Sequence, residues 1–181
     1  MKAWETLSTE YLYKNSFGNL RKEQCRLPNG IIIDNFYVNE YSDWVNAVVL
    51  TESMQLVLVK QYRHGTRGFY LEIPAGKLEE NETSKQGILR EVLEETGFTS
   101  NKNPILLGEH MVNPAVQNNK ISTYLITDAF KTSDQQLDDT EEIDVKLIDF
   151  EEFDDLILNR TIETQLFTAS AYYMAKSFLN K

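Results

Sequence analysis

Residues Gly76–Phe98 read GKLEENETSKQGILREVLEETGF, and the fold can be worked outward from this stretch. Thr83 followed three positions later by Gln86 is a capping-box pattern, which predicts a helix starting near Ser84. Ile88 with Val92, and Leu89 with Leu93, are apolar pairs four residues apart and give that helix a buried stripe. Gly97 follows the last turn and suits the left-handed residue that ends a helix. Glu91, Glu94 and Glu95 project from one face, where like charges repel at a cost that no stability argument explains. An acidic helix face is most often simply solvated. Carboxylates gathered this way are also hard oxygen ligands suited to magnesium or manganese.

Outward from the helix, the chain is strand-rich before it and ends in two helices. Leu20–Leu27 and Ile31–Val38 flank Pro28-Asn29-Gly30, a hairpin signal in which Asn-Gly is expected to supply positive φ angles. Val45–Leu50 and Leu56–Tyr62 form a second strand pair around Thr51-Glu52-Ser53. In the last segment, Leu166, Ala169, Tyr173, Met174 and Ala175 recur at helical spacing and predict a core or dimer face. This order predicts an α+β fold with a mixed sheet covered by helices.

Composition narrows the function. The 181 residues carry a net charge of −10, which argues against a nucleic-acid backbone as partner. Eleven of the 28 acids but only one of the 18 bases lie between Asp134 and Asp155, a stretch expected to be a solvated loop and helix face. An acidic protein can still hold an anionic substrate across divalent cations. No apolar run approaches the length needed to cross a bilayer, so no membrane role is expected. The start, Met1–Glu5, does not read as a signal peptide, and the single cysteine, Cys25, fits a buried thiol in a reducing cytoplasm.

The stretch resembles the Nudix box: Gly76, Glu82, Arg90-Glu91, Val92, Glu94-Glu95, Gly97 and Phe98 fill its fixed positions without gap or substitution. The resemblance implies a Nudix α/β/α sandwich, a mixed sheet between helices, with the box as a loop–helix–loop. It extends outward: Gln61-Tyr62-Arg63 and Leu71-Glu72-Ile73-Pro74-Ala75-Gly76 look like the entry to the box in ADP-ribose and sugar-nucleotide pyrophosphatases. Pro114, sixteen residues after Phe98, has the spacing of the ADP-ribose enzymes, although Asn113-Pro114-Ala115 departs from their more usual Ser-Pro-Gly. Gly87, where the family usually has Ala, is a second departure, expected to permit close approach at the metal face or to be simply tolerated.

The resemblance further implies metal-dependent hydrolysis of ADP-ribose to AMP and ribose 5-phosphate. The alternatives are a sugar-nucleotide pyrophosphatase acting on GDP-mannose, ADP-glucose or similar, and a non-catalytic nucleotide sensor. Glu91, Glu95, Glu141 and the Ala75 carbonyl are the implied ligands of Mg2+, for which Mn2+ could substitute. Asp139 falls at the general-base position; Glu94 assists, Arg90 orients the carboxylates, and Glu82 supports. For the substrate, a nucleoside diphosphate sugar, the candidate contacts are Arg63 on phosphate, Trp4 and Trp44 as base-stacking rings, and Glu72 and Gly76 at the entry to the box. Relatives pair their N-terminal strands across a two-fold axis, so residues 1–40 are expected to form a small antiparallel β subdomain in a homodimer interface. Residues 41–181 are then the hydrolase domain.

Overall fold

In a computed structural model that describes residues 1–180, the chain forms eleven strands and three helices. In chain order these are β1 (Glu5–Asn15), β2 (Gly18–Arg26), β3 (Ile32–Glu40), β4 (Trp44–Thr51), β5 (Gln55–Arg63), β6 (Gly68–Glu72) and β7 (Ala75–Lys77). The helix α1 (Ser84–Thr96) follows, then β8 (Phe98–Thr99), β9 (Ile105–Met111), β10 (Lys120–Lys131), β11 (Ile143–Asp149), α2 (Phe150–Leu158) and α3 (Leu166–Leu179). Two compact units result. One comprises Met1–Asp43 with His110–Ile121, and the other takes Trp44–Glu109 and the chain after Ile121. The segment 110–121 thus belongs with the N-terminal residues, which a division at residue 40 does not anticipate.

In the first unit, β1, β2 and β3 form an antiparallel sheet. The turn between β2 and β3 differs in detail from the expected one. Only Gly30 adopts a positive φ, of 87°, while Asn29 works through its side chain, whose Oδ1 accepts from the Ile31 N–H at 3.1 Å. Ten of the eleven β1 residues are exposed, among them Tyr11, Leu12 and Tyr13.

A mixed eight-stranded sheet carries the rest, in the order β11-β5-β4-β10-β8, with β6 beside β5, β7 beside β4 and β9 beside β10. Alternation along β4 divides its buried side chains between two cores. Val45, Ala47 and Val49 point to Ile88 and Val92 of α1, while Val48 and Leu50 point to Phe153 of α2 and Ala171, Tyr172 and Ala175 of α3. This is the expected sandwich, with α1 on one face and α2 and α3 on the other. The buried stripe of α3 is not the one read from sequence. Thr168, Ala171, Tyr172 and Ala175 are buried, whereas Leu166 and Tyr173 are exposed. A threonine can occupy that stripe because its Oγ1 accepts the Ile73 N–H at 3.2 Å. The acidic stretch is solvated as expected, and Asp149 caps α2 by accepting from the Glu151 N–H at 2.9 Å.

Candidate functional site

Helix α1 begins and ends where its sequence says. Thr83 and Gln86 form the reciprocal capping box, and Gly97, at φ 73°, donates its N–H to the Leu93 carbonyl at 2.8 Å. With both ends fixed and Ile88 and Val92 fully buried, the rotation of the helix is set. Glu91 and Glu95 are therefore turned inward, while Glu94 lies nearer to solvent.

The strand register decides what faces them. In β5 and β6, Val59 lies opposite Glu72, Gln61 opposite Tyr70 and Arg63 opposite Gly68, so these residues share one face. Val57 two residues earlier packs with Ile88 and Val92, so that face is the α1 face. In β7, Gly76 lies opposite Val45 and faces the same way. A Cβ at Gly76 would overlap the Glu91 carboxylate, so glycine here makes room for a metal-face acid, and its contact is with Glu91.

Arg90 is the hub of the box. Its Nε and Nη2 donate to the two oxygens of Glu82 at 2.9 and 3.0 Å, and Nη1 to Glu91 at 2.9 Å and Glu94 at 3.0 Å. Nη2 also reaches the Lys77 carbonyl at 3.1 Å. The guanidinium is thus spent on carboxylates and one carbonyl, and its hydrogen bonds hold Glu82 below the usual carboxylate range. Gly87, by contrast, does not face the metal-face acids. An added Cβ would meet Leu78 at 2.6 Å and Glu82 at 2.9 Å, so this departure serves packing of the box loop.

Glu95 is 4% exposed and accepts from the Ala75 N–H at 3.0 Å. Burial pushes its carboxyl well above the ordinary range against that hydrogen bond, and the charges of Glu91 and Glu141 push it further. Burial also raises Glu91, against the pull of Arg90, with Glu94 and Glu141 adding to the rise. Glu141 therefore lies close enough to act on both glutamates. It sits in a turn in which the Glu141 N–H donates to the Asp138 carbonyl at 2.9 Å, while its own carboxylate accepts the Asp138 N–H at 3.2 Å. Asp139 occupies the exposed tip of that turn.

Arg63 folds back along β5 and grips Glu72, with Nε to Oε1 at 3.0 Å and Nη2 to Oε2. Glu72 is 1% exposed, so it holds Arg63 in place and is not itself open to a ligand. The Arg63 side chain is nonetheless 44% exposed, and its hydrogen bonds to Glu72 use Nε and Nη2. Trp44 falls on the opposite face of the sheet, edge-on to Phe167 of α3 at 6.0 Å, away from the carboxylates. Trp4 belongs to the first unit, edge-on to Phe36 at 5.7 Å, and is 47% exposed.

Among the described residues no three acids, histidines or cysteines already form a metal cage. Glu91 and Glu94 are turned to Arg90 and Glu95 to the Ala75 N–H. The donor set nonetheless suits a hard dication: the buried Glu95, the half-buried Glu91 and a third carboxylate nearby repel one another, with Arg63 and Arg90 offsetting part of that repulsion. Gln61 and Tyr70, which sequence reading passed over, share this face through the period of two along paired strands.

Comparison with known proteins gives concordant results. The description NUDIX domain matches residues 41–168, and nucleoside diphosphate sugar hydrolase N-terminal domain matches residues 4–39. An ADP-ribose pyrophosphatase of Bacillus subtilis (strain 168) is 35% identical over 104 residues, 56% of this chain and 56% of that one. A methanol dehydrogenase activator of Bacillus methanolicus is 34% identical over 94 residues, 52% of this chain and 50% of that one. The chain thus spans about half the length of these curated relatives. A crystal structure titled ADP compounds hydrolase superposes with a TM-score of 0.84 over 99% of this chain and 96% of that one, at 18% identity, a likeness of fold.

Proposed function

The chain belongs to the Nudix family, and from that premise we propose that it hydrolyses the diphosphate bond of ADP-ribose to AMP and ribose 5-phosphate with a divalent metal. The observation that carries this reading is the convergence of Glu91, Glu95, Glu141 and Arg63 on one face of the sheet at the complete box. The name of the B. subtilis relative supports the substrate.

In this reading Glu91, Glu95, Glu141 and the Ala75 carbonyl would hold Mg2+, or Mn2+ in its place. When bound, the ion supplies charge neutralisation of the diphosphate and Lewis acidity. Arg63, anchored by Glu72, presents Nη1 to a phosphate oxygen. Asp139 takes the proton of the attacking water as its oxygen bonds to one phosphorus and the bridging P–O bond breaks, the other phosphate leaving with the bridging oxygen. Arg90 keeps the glutamates aimed, and Glu94 assists from the rim. Trp44 packs on α3, on the face away from the carboxylates, and is left out of the base-stacking contacts in this reading.

We assign a homodimer built on the N-terminal sheet. Three strands with an exposed edge strand and exposed Trp4, Tyr11, Leu12 and Tyr13 bury too little to be stable uncovered. A dimeric mass by light scattering at micromolar concentration is expected, and a monomer would remove this part of the reading. A cytoplasmic location fits the single buried thiol at Cys25. No helix among the described residues is long and apolar enough to cross a membrane.

A second reading is hydrolysis of another sugar nucleotide. The N-terminal match to nucleoside diphosphate sugar hydrolases and the Asn113-Pro114-Ala115 turn favour it. Turnover of ADP-ribose, ADP-glucose, GDP-mannose and dinucleotides with magnesium, with products separated by ion exchange, decides between them. ADP-ribose should give the highest kcat/KM with AMP as product. A preference for GDP-mannose establishes the second reading, and no turnover of any compound sinks both.

A further inference from the structure

The carboxylates of the candidate site come from two parts of the chain that sequence does not join. Glu91 and Glu95 ride on α1, and Glu141 lies two residues before β11. A helix ends with carbonyls that have no partner within it. At the end of α1 these carbonyls are taken by the segment that leads to Glu141. The Gln136 N–H donates to the Glu94 carbonyl at 2.8 Å, and the Thr132 N–H to the Gly97 carbonyl at 2.8 Å. Between them, the Gln135 side chain spends its amide nitrogen twice, on the Glu95 carbonyl at 2.6 Å and on the Ile143 carbonyl at 3.0 Å. Both partners can only accept, so the amide orientation is fixed, and a primary amide has the two donors needed. One half-buried side chain therefore ties the backbone of Glu95 to the first residue of β11.

We infer that Gln135 is a positioning residue for the metal site, fixing the separation between the Glu91–Glu95 pair and Glu141. The inference rests on the proposed metal-dependent reading. The two bonds close a short loop, Gln135 to Ile143, onto the last turn of α1. Within that loop, among the described residues, the turn Asp138–Glu141 is closed by hydrogen bonds between its own residues. Without the clamp, Glu141 must lose conformational freedom on each ligation event. Glu95 is tied separately through Ala75 and α1, so the loss should fall on Glu141. Partners that orient ligands are commonly worth 10–100-fold in metal affinity.

The test is Mn2+ binding to the substrate-free protein, followed by electron paramagnetic resonance. Four proteins are compared: wild type, Gln135→Met, Glu141→Gln and the double variant. Gln135→Met keeps the length and removes both donors. It should weaken Mn2+ by about tenfold in the wild-type background and less than twofold in the Glu141→Gln background, because coupled residues are not additive. Gln135→Asn, one methylene too short to reach both carbonyls, should show the same pattern and serves where Gln135→Met fails to fold. Unchanged Mn2+ affinity, or an equal loss in both backgrounds, overturns the positioning role. A wild-type protein that binds no Mn2+ overturns the metal reading itself, and one that binds it no worse after Glu141→Gln removes Glu141 from the ligands and the positioning role with it.

Discussion

The two faces of the large sheet are built on opposite electrostatic terms. The face under α2 and α3 is closed and largely apolar: Phe153, Tyr172, Ala171 and Ala175 are fully buried, and the Tyr172 O–H donates to the Phe150 carbonyl at 2.8 Å. The α1 face has an apolar cluster as well, with Ile88, Val92 and Phe98 among its residues, but it is not purely apolar. Toward the C-terminal end of the helix it gathers Glu91, Glu95, Glu72 and Arg63, with Glu141 alongside, and burial drives Glu91 and Glu95 toward protonation. Strands that are indistinguishable in hydrophobicity serve both faces, since successive residues of β4 alternate between them. One face sustains the fold, while the other holds repulsion in reserve for a cation.

That contrast breaks first in activity. Glu95→Gln and Glu91→Gln should each lower ADP-ribose turnover by on the order of 10³-fold, since each removes a charged ligand. Both proteins should keep a native circular dichroism spectrum, because the apolar contacts of Ile88 and Val92 are untouched. Near-wild-type kcat in either would remove these residues from the site. Phe153→Ala, on the opposite face, should do the reverse. It should cost about 3–5 kcal/mol of unfolding free energy in urea while leaving kcat within a few-fold at a temperature where the variant is folded.

The turn at Asp138–Glu141 sharpens the account of the acidic face. Asp139→Asn should lower kcat by on the order of 10²-fold with unchanged metal dependence, as removal of a base does. Glu141→Gln should instead raise the magnesium concentration for half activity. Reversal of the two patterns exchanges their roles, and full activity in both leaves the turn a solvated loop.

The smallest effect belongs to the closed face and to high pH. Burial pushes the Tyr172 phenol up to about 12, against an unfolded value of about 10. The folded state holds this proton more tightly, so the stabilisation is intact below pH 10 and is lost as pH rises from 10 to 12. Tyr172→Phe gives up a hydrogen bond of about 1 kcal/mol but removes that loss. The stability gap between wild type and variant should therefore narrow across this window in chemical denaturation. A constant gap would show that the phenol is not ionising on unfolding.

What was legible in the sequence follows the same division. The ends of helix α1 could be read to the residue because its cap and terminating glycine are local, whereas of its expected stripe Ile88 and Val92 are buried and Leu89 and Leu93 only half-buried. Its box glutamates could be assigned because they ride on it. The packed face of α3 could not be read, since Thr168 is buried only by virtue of the Ile73 N–H, 95 residues away in sequence. Trp44 was a reasonable aromatic candidate until the register put it on the α3 face, and residue type alone carries no such parity. Gln135 gave no signal, because its partners are main-chain carbonyls of two separate elements.

Thermal unfolding of wild type and Glu95→Gln, with and without Mn2+, tests most directly the claim that the α1 face is held in repulsion for a cation. In metal-free buffer at neutral pH, Glu95→Gln should melt at or above the wild type, because it removes a buried, repelled carboxylate. Saturating Mn2+ should raise the wild-type midpoint by several degrees through binding to the folded state and leave the variant nearly unmoved. A variant that melts well below wild type without metal, together with a wild-type midpoint indifferent to Mn2+, would contradict the account.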